Sequence, residues 1–266
     1  MNKKELLALF IKLGRRAKKL IKEVDNGKEK LERNYFGDMS IKMDIVLEEM
    51  VKEEIKDLNF QLLTEEKPEK TNGECFGTII LDPLDGSKNY ERGFPAYAFA
   101  IAGSAKNNPS IKDIDAAVVV DLFSGDEYFA MKGKGTYKNN EKIRLDRKIV
   151  TPPLVAADFG RDKSSSSKVF PAISEFAYMR MLGAATLEMA AAASGTVDAY
   201  LDVRGKLLVT HTAGIMLMKE TGLMISDKHG NEITQTLHQN TVFTIIAARE
   251  KKLHKKLLGI CNILPK

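Results

Sequence analysis

The 266-residue sequence has no apolar run approaching the ~20 residues that a membrane-spanning helix needs. It also has no apolar segment of the kind found in secretory signal peptides, because residues 1–5 lead directly into an amphipathic helical pattern. Neither a membrane partner nor secretion is expected from these absences. The sequence therefore predicts a cytoplasmic protein.

Cysteine is scarce, with only Cys75 and Cys261, and the two are far apart and form no C-x-x-C pair. Short paired spacings are typical of metal and redox sites, whereas scattered cysteines are typical of proteins in a reducing compartment. We therefore expect two free thiols. A disulfide between the two cysteines stays open as the alternative.

The sequence also lacks a large excess of positive or negative charge, since the formal net charge is only +5. It contains no stretch of basic residues interleaved with aromatic residues. Nucleic acid is therefore not expected as a partner. The small positive excess favours anionic small molecules as substrates. Hydrophobic residues make up 44% of the chain, which is enough for a large core and argues against disorder.

Two aspartates follow a strongly apolar segment in the first third of the chain. The run 76–81 predicts a buried strand, and Asp82 and Asp85 come after it, three residues apart. Gly86 permits a tight turn, and Ser87 adds a hydroxyl beside the acids. Oxygen ligands at this density suit Mg²⁺, which usually shares its coordination with waters and a substrate phosphate. The alternative is a polar turn in which an aspartate caps the backbone.

Residues 82–87 read Asp-Pro-Leu-Asp-Gly-Ser, which resembles the D-P-[IL]-D-G-[ST] signature of the inositol monophosphatase and fructose-1,6-bisphosphatase superfamily. The resemblance extends along most of the chain and is strongest to the archaeal-type branch. It implies an α+β fold, specifically a layered αβαβα sandwich. It also implies a lithium-sensitive, Mg²⁺-dependent phosphatase that works as a homodimer. Inositol 1-phosphate and fructose 1,6-bisphosphate are the leading substrates that it suggests.

Predicted strands alternate with helices and also occur in consecutive runs, a pattern typical of mixed, layered proteins. Two consecutive prolines at residues 152 and 153 mark a boundary in this pattern. We expect residues 1–150 to form an N-terminal half that carries the metal-binding motifs. Residues 151–266 would form a C-terminal half that completes the substrate cleft.

Two local predictions concern the ends of helices. A helix with apolar residues from Val46 to Ile55 is expected to be capped by Asp38 or Ser40. The serine run 164–167 is expected to be a mobile loop before a helix that begins near Val169.

Further acids acquire a role through the resemblance. Glu65 stands where the family has the first Glu of a G-E-E stretch, which binds metal and helps to activate the attacking water, although Thr64 replaces the common glycine. From the residues alone, Glu65 and Glu66 fit an ordinary loop after a strand. Asp44 matches an acid near a weak third metal site in the family. It fits equally as a complement to the dipole of a predicted helix.

The resemblance also assigns a set of site residues. We expect Arg204 and Arg180 to reach the cleft, with surface salt bridges as the alternative for both, and Asp202 to bind sugar hydroxyls or to be solvated. The implied metal ligands are Glu65, Asp82, the Leu84 carbonyl and Asp85, the catalytic residues are Glu65 and Ser87, and the substrate-binding residues are Asp85, Gly86, Ser87, Arg180 and Arg204.

One element of the family pattern is missing. The family has a third aspartate, in W-D-x-A-A-G or V-D-x-A, at the start of a helix, but residues 208–214 contain no aspartate. Counting forward from the preceding strand places His211 at its position, and counting back from the following helix places Thr210 there. A hydroxyl or a neutral imidazole binds Mg²⁺ less well than a carboxylate. We therefore expect two or three Mg²⁺ ions, with a second site that is weakened and held mainly by Asp85.

Three alternatives follow from these residues. A nucleotide 3′-phosphatase, of the 3′-phosphoadenosine phosphate type, also carries Asp-Pro-Leu-Asp-Gly-x-Lys, although Asn89 and Tyr90 fit the inositol phosphatase pattern better. The missing third aspartate is compatible with a catalytically weak relative that acts as a binding or regulatory protein. His211 as an acid toward the leaving group is a third possibility.

Overall fold

The structure is a computed structural model that describes residues 1–66, 75–145, 148–160 and 162–261. Helices alternate with single strands and with runs of strands along these ranges. The described helices are α1 (Lys3–Glu23), α2 (Lys42–Ile55), α3 (Ser87–Arg92), α4 (Lys163–Ser174), α5 (Ala185–Ala193), α6 (Thr212–Thr221) and α7 (Lys251–Cys261).

The strands form two large sheets and one small hairpin. The described strands are β1 (Lys30–Arg33), β2 (Met39–Ile41), β3 (Phe60–Leu63), β4 (Gly77–Asp85), β5 (Ala98–Ser104), β6 (Ala116–Asp121), β7 (Glu127–Met131), β8 (Gly135–Lys138), β9 (Glu141–Lys142), β10 (Leu154–Ala157), β11 (Tyr178–Arg180), β12 (Ala199–Leu208), β13 (Met224–Ser226) and β14 (Val242–Ala248).

The larger of the two described sheets has seven strands in the order β3-β4-β5-β6-β7-β8-β9. Its first pair is parallel and its other pairs are antiparallel. The smaller sheet has five described strands in the order β11-β10-β12-β14-β13. In it, β10 is parallel to both of its neighbours, and β14 is antiparallel to both of its neighbours. The chain passes from one sheet to the other between β9 and β10, close to the residues where the sequence predicts a boundary. The division into two halves stays a prediction.

Helices separate and cover the two sheets. α1 and α2 pack on one face of the seven-stranded sheet, α5 and α6 lie between the sheets, and α4 and α7 cover the outer face of the five-stranded sheet. Three clusters of buried apolar side chains fill the layers, and the largest lies between the two sheets. The layered αβαβα arrangement predicted from the sequence is confirmed.

α1 shows how the sequence produces this packing. Its buried residues Leu6, Phe10, Leu13 and Ala17 recur at three- and four-residue spacing, so they form one face toward the sheet. The side chain of Asn2 accepts hydrogen bonds from the first N–H groups of the helix, and Glu5 bonds back to the Asn2 N–H, which completes a capping box. The helix therefore begins at a defined residue and lies close to β5 and β6.

β4 positions the acids of the central motif. All nine of its residues are buried, and it pairs with β3 on one side and with β5 on the other. The pairing with β5 shifts register between Asp82 and Asp85, where Pro83 lacks the N–H that a regular ladder needs. The two aspartates therefore belong to the irregular end of the strand itself, and do not follow it as predicted.

Two local predictions were wrong. Neither Asp38 nor Ser40 caps α2, because the carboxylate of Asp44, inside the first turn, accepts the N–H of Ile41 at 2.8 Å, while the Ser40 hydroxyl bonds to Glu66. The serine run is not a loop, since residues 164–167 belong to the first turns of α4. Serine has a modest helix propensity, so the packing of the later apolar turns of this helix outweighs it.

Both cysteines, Cys75 and Cys261, are buried free thiols, as predicted. Burial raises the pKa of the Cys261 thiol to about 12, so this side chain behaves as a small apolar group and not as a nucleophile. Among the described residues, no helix combines the length and the apolar character needed to cross a membrane.

Candidate active site

A cleft of about 260 Å³ opens where the irregular end of β4 faces the five-stranded sheet. Its walls come from both sheets, from the start of α2 and from the turn before α6. Seven carboxylates line it, against three permanently positive side chains. Such an excess of negative charge in a partly buried space is unfavourable unless cations or protons neutralise it.

Glu65 and Asp82 lie together because their strands are parallel neighbours. β3 ends just before Glu65 and pairs in parallel with β4, which carries Asp82, so the two carboxyl ends reach the same edge of the sheet. One oxygen of each lies within 4.8 Å of the other and of a His211 nitrogen. Burial, followed by repulsion from neighbouring acids, raises the pKa of Asp82, while an N–H bond from Leu84 acts in the opposite direction. Burial also raises the pKa of Glu65.

Asp85 is held by the start of α5. Its Oδ1 accepts the N–H of Ala185 at 3.1 Å, and its Oδ2 accepts the N–H of Thr186 at 2.6 Å and the hydroxyl of the same residue. The carboxylate thus takes two of the N–H groups that a helix cannot satisfy internally, and it interacts favourably with the positive end of the helix dipole. This contact joins the acid-bearing strand to the helical layer between the sheets.

The turn after Asp85 brings a hydroxyl to the cleft. Gly86 has φ of +82°, and a Cβ there would lie 2.7 Å from the Ala96 carbonyl oxygen, so the turn requires glycine. Ser87 follows as the first residue of α3 and lines the cleft. Asn89 fixes the short helix by donating to the carbonyls of Ala96 and Leu182, at 2.8 Å and 2.7 Å.

The turn Val209–His211 brings two more side chains to the acids, at the point where the family pattern has its third aspartate. Thr210 is fully buried, and its hydroxyl donates to Glu65 Oε1 at 2.8 Å. The Nε2 atom of His211 lies 3.7 Å from Asp82 Oδ2 and 3.9 Å from Asp85 Oδ1. Both candidates for the missing position therefore contact the cluster, Thr210 at the glutamate and His211 at the two aspartates.

A second group of acids lies behind the first. Asp44 lines the cleft and is buried, which raises its pKa to about 8, with smaller contributions from Glu66, Glu65 and Glu48. Glu66 accepts the Ser40 hydroxyl, and burial raises its pKa as well. Asp44 therefore combines a helix-capping role with a place beside the cluster, and its role at a third metal ion stays a prediction.

Arg204 lines the cleft on the side of the five-stranded sheet. Its guanidinium donates to Asp202 and to Asp158, with Nη2 at 2.6 Å and 2.8 Å from the two carboxylates. Asp202 is completely buried in this pair, so the expectation of a solvated or sugar-binding side chain is corrected. Arg180 lies on the exposed strand β11 and lines a different pocket, because β11 is the outer strand of its sheet. The structure does not bring Arg180 to the cleft.

The residues that sequence reasoning missed are those that orient others. Thr186 holds Asp85, and Asp158 shares Arg204 with Asp202. The signal for Thr186 was present, since it belongs to the Gly-Ala-Ala-Thr stretch at residues 183–186 that resembles a family motif. Asp158 lies just after a short strand and has no local signature.

The donor set in the cleft suits a divalent cation. The carboxylates of Glu65, Asp82 and Asp85 supply the oxygen ligands that hard cations prefer. A bound cation would offset the burial and the charge repulsion that together raise the pKa of Asp82. His211 adds a nitrogen donor to this set.

Comparison with known proteins gives a consistent result. A model of the "Inositol monophosphatase family" matches residues 2–264. A fructose-1,6-bisphosphatase/inositol-1-monophosphatase of Methanocaldococcus jannaschii is 31% identical over 226 residues, which are 84% of this chain and 85% of that protein. A solved structure described as an inositol monophosphatase–fructose 1,6-bisphosphatase superimposes with a TM-score of 0.83 at 25% identity, covering 95% of this chain and 98% of the other.

A third relative differs in length. A bifunctional NADP phosphatase/NAD kinase of Methanococcus maripaludis is 31% identical over 221 residues, which are 77% of this chain. The matched part covers only 38% of that protein, so the chain spans well under half of its length.

Proposed function

We propose, from the premise that the chain belongs to the inositol monophosphatase family and is a metal-dependent phosphatase, that its substrates are inositol 1-phosphate and fructose 1,6-bisphosphate. The observation that carries this proposal is the convergence of Glu65, Asp82 and Asp85 in one cleft, beside the turn at Gly86 and Ser87. We further propose that Mg²⁺ is the principal ion, held by Glu65, Asp82 and the Leu84 carbonyl, and that Asp85 contributes to a second, weaker site.

The arrangement of Glu65 suits a base for the attacking water. Thr210 donates to its Oε1, so the second carboxylate oxygen is left to accept a proton. Ser87 lines the same cleft and would orient the water through its hydroxyl. Divalent cations in such sites polarise the phosphate and lower the pKa of water.

The phosphate itself would lie against the turn. The first N–H groups of α3, at Ser87 and Lys88, have no partners within the helix, and such groups stabilise the charge that develops on phosphoryl oxygens. Arg204 also lines the cleft, and two carboxylates, those of Asp158 and Asp202, hold its guanidinium in place. We propose that it contacts the sugar or polyol part of the substrate.

The test is phosphate release from a panel of inositol 1-phosphate, fructose 1,6-bisphosphate and nucleotide phosphates during a Mg²⁺ titration. Asp82→Asn should reduce kcat/KM by at least about 100-fold, because removing one catalytic group commonly costs this much. Arg180→Gln is the matched control, since its side chain lies outside the cleft, and it should retain the wild-type rate. Release that is unaffected by Asp82→Asn would contradict the proposal. Absence of release at every Mg²⁺ concentration would favour the binding or regulatory alternative.

One observation favours nucleotide phosphates as a second candidate class. A groove of about 720 Å³ adjoins the cleft and shares Ser87, Lys88 and Arg204 with it. Five basic side chains line the groove against three acidic ones, so its lining has a small positive excess, in contrast to the acidic cleft. Such a groove suits a second anionic group on a larger substrate. NADP and 3′-phosphoadenosine phosphate therefore belong in the panel, and Arg92→Gln should raise KM for them selectively.

We also propose a homodimer and a cytoplasmic location. The homodimer is expected from the family resemblance, and the cytoplasmic location from the two free thiols. Light scattering coupled to size-exclusion chromatography measures the first directly, and a mass of one chain would contradict it.

A further inference from the structure

We propose that His211 is a direct ligand of the second cation, through Nε2 and together with Asp82 and Asp85, and that this nitrogen makes the second site prefer Mn²⁺ or Co²⁺ to Mg²⁺. The inference rests on the proposed function and concerns the position where the family pattern has an aspartate. It assigns the two cation sites different preferences, with oxygen donors at the first and a mixed set at the second.

The first observation that supports this proposal is the distance between the donor atoms. Two ligands bound to one ion at about 2.1 Å each cannot be more than about 4.2 Å apart. The Nε2 atom of His211 lies 3.7 Å from Asp82 Oδ2 and 3.9 Å from Asp85 Oδ1, so the two atoms of each pair are close enough to bind one ion. Among the described residues, three donor atoms that all lie within 4.8 Å of one another come from Glu65, Asp82 and His211, so Asp85 would join His211 and Asp82 on one ion after a small shift of its side chain. These separations are too long for hydrogen bonds, so neither carboxylate bonds directly to the nitrogen.

The second observation concerns the other ring nitrogen, Nδ1. His211 Nδ1 lies 3.2 Å from the carbonyl oxygen of Leu208. A carbonyl cannot donate, so Nδ1 carries a proton, and Nε2 is the ring nitrogen left to bind a cation beside the two carboxylates. Metal-binding histidines commonly donate their second N–H to a backbone carbonyl in this way.

Local structure holds the ring in this position. His211 ends the turn that precedes α6, and its side chain is only 13% exposed. Thr210, one residue earlier, is bonded to Glu65, so the turn is tied to the acids by its neighbouring residue as well. The site is therefore built before an ion arrives, and binding needs little rearrangement.

Donor chemistry gives the third step. Mg²⁺ prefers oxygen ligands and near-octahedral geometry, whereas imidazole suits later divalent ions. Replacing a carboxylate by a neutral ring also removes one negative charge, which weakens binding of a hard ion most. The order of affinities at mixed nitrogen and oxygen sites rises from Mn²⁺ to Co²⁺.

The test is metal binding by the full-length, chelator-treated protein. Isothermal titration should show two sites for Mn²⁺ and Co²⁺. The second site should bind Mg²⁺ at least about tenfold more weakly than it binds Mn²⁺ or Co²⁺, which is the scale typical of a changed ligand environment. The visible absorption of bound Co²⁺ should change when His211→Asp removes the nitrogen donor. The same variant should strengthen Mg²⁺ binding at the second site by about tenfold. His238→Gln, at an exposed histidine, is the control and should leave the titration unchanged.

Two outcomes would overturn the inference. One is a Co²⁺ spectrum and stoichiometry that are the same in wild type, His211→Asp and His211→Gln, each verified as folded by circular dichroism. The other is a single ion bound by wild type and two ions bound by His211→Asp, which would mean that the ring occupies the place of the second ion. A failure of the proposed function looks different, since phosphate release would be absent while the binding pattern persisted.

Discussion

Several carboxyl groups in the cleft are buried close to one another, which makes their ionisation less favourable than it would be in water. Asp82 is almost fully buried near three other acids, and its pKa is raised by burial and by these neighbours. Asp44 has its pKa raised to about 8 for the same reasons. In the absence of cations, the folded protein therefore holds protons at neutral pH that the unfolded chain releases.

Glu188 allows the cost of a buried carboxyl to be measured at a residue that is not itself a proposed metal ligand, although Asp85 is one of the acids that repel it. It is 1% exposed, and burial raises its pKa to about 8. One of its oxygens accepts the N–H groups of Leu182 and Gly183, and the other has no hydrogen-bond partner among the residues that the structure describes. Because the folded pKa lies above the unfolded value, wild type loses stability as the pH rises from about 4.5 to 8, and ionised Glu188 is unfavourable above that range.

We therefore expect Glu188→Gln to match wild type in urea unfolding at pH 5 and to exceed it by roughly 2–4 kcal/mol at pH 8.5. Glutamine keeps the acceptor for the two N–H groups and cannot ionise. Glu188→Ala is the control for packing and should be less stable at both values. A difference between wild type and Glu188→Gln that does not change with pH would contradict a raised pKa.

The residues that could be predicted from the sequence are those with a local signature. Asp82 and Asp85 follow an apolar run and stand in a specific hexapeptide, so their convergence at one site needs no long-range information. Thr210 and His211 could be placed only as alternatives, because the counts from the two flanking elements disagree by one residue. In the fold both side chains reach the cluster, since a turn presents neighbouring residues in different directions.

Among the secondary-structure elements, the start of α5 deserves a test of its own, since it holds Asp85 through Thr186. Thr186→Val removes a buried hydroxyl that donates to a carboxylate but keeps the side-chain shape. We expect a loss of about 1.5–3 kcal/mol in the free energy of unfolding, the range for hydrogen bonds to charged groups. Metal affinity should fall as well, because Asp85 loses one of the groups that orient it.

Thr186→Ser is the matched variant, since it retains the hydroxyl and removes only a methyl group. It should recover most of the metal affinity, which calorimetric titration measures alongside urea unfolding. Equal affinities for the valine and serine variants would show that the hydroxyl does not orient Asp85.

Element boundaries were predictable where one periodicity dominates. The apolar periodicity over residues 5–25 predicts α1, and the apolar runs at 60–63 and 154–157 predict β3 and β10, each to within two residues of its bounds in the structure. α4 was predicted too short, since a serine run resembles a loop in composition. The cap of α2 was misassigned because Asp44, inside the helix, bonds to the Ile41 N–H that Ser40 or Asp38 was expected to serve.

For the whole molecule, the site couples ion binding to stability, because its residues come from both sheets. A cation at 100 times its Kd stabilises the folded state by about 2.7 kcal/mol, which raises the Tm of a protein of this size by roughly 5 °C. The pKa values of Glu65 and Asp82 are raised, so protons compete with the cation as the pH falls. Thermal unfolding should therefore show a larger Tm increase with Mg²⁺ or Mn²⁺ at pH 8 than at pH 6.

The control for this prediction is Asp82→Asn, which should abolish most of the increase at both pH values. An increase of equal size at pH 6 and pH 8 would mean that these carboxyl groups do not bind protons in the metal-free protein.

The layered fold itself was predictable through the family resemblance. The contacts between distant parts of the chain, such as Asp85 with α5, were not, because no periodicity records them.

The imidazole among the carboxylates also has a practical consequence for purification. Ni²⁺ stands above Co²⁺ in affinity for mixed nitrogen and oxygen donors. A tagged protein eluted from immobilised nickel is therefore expected to carry that ion between His211 and the two aspartates. Kinetic work on this enzyme should begin with elemental analysis of the preparation, since the effect of bound Ni²⁺ on activity would otherwise be attributed to the protein itself.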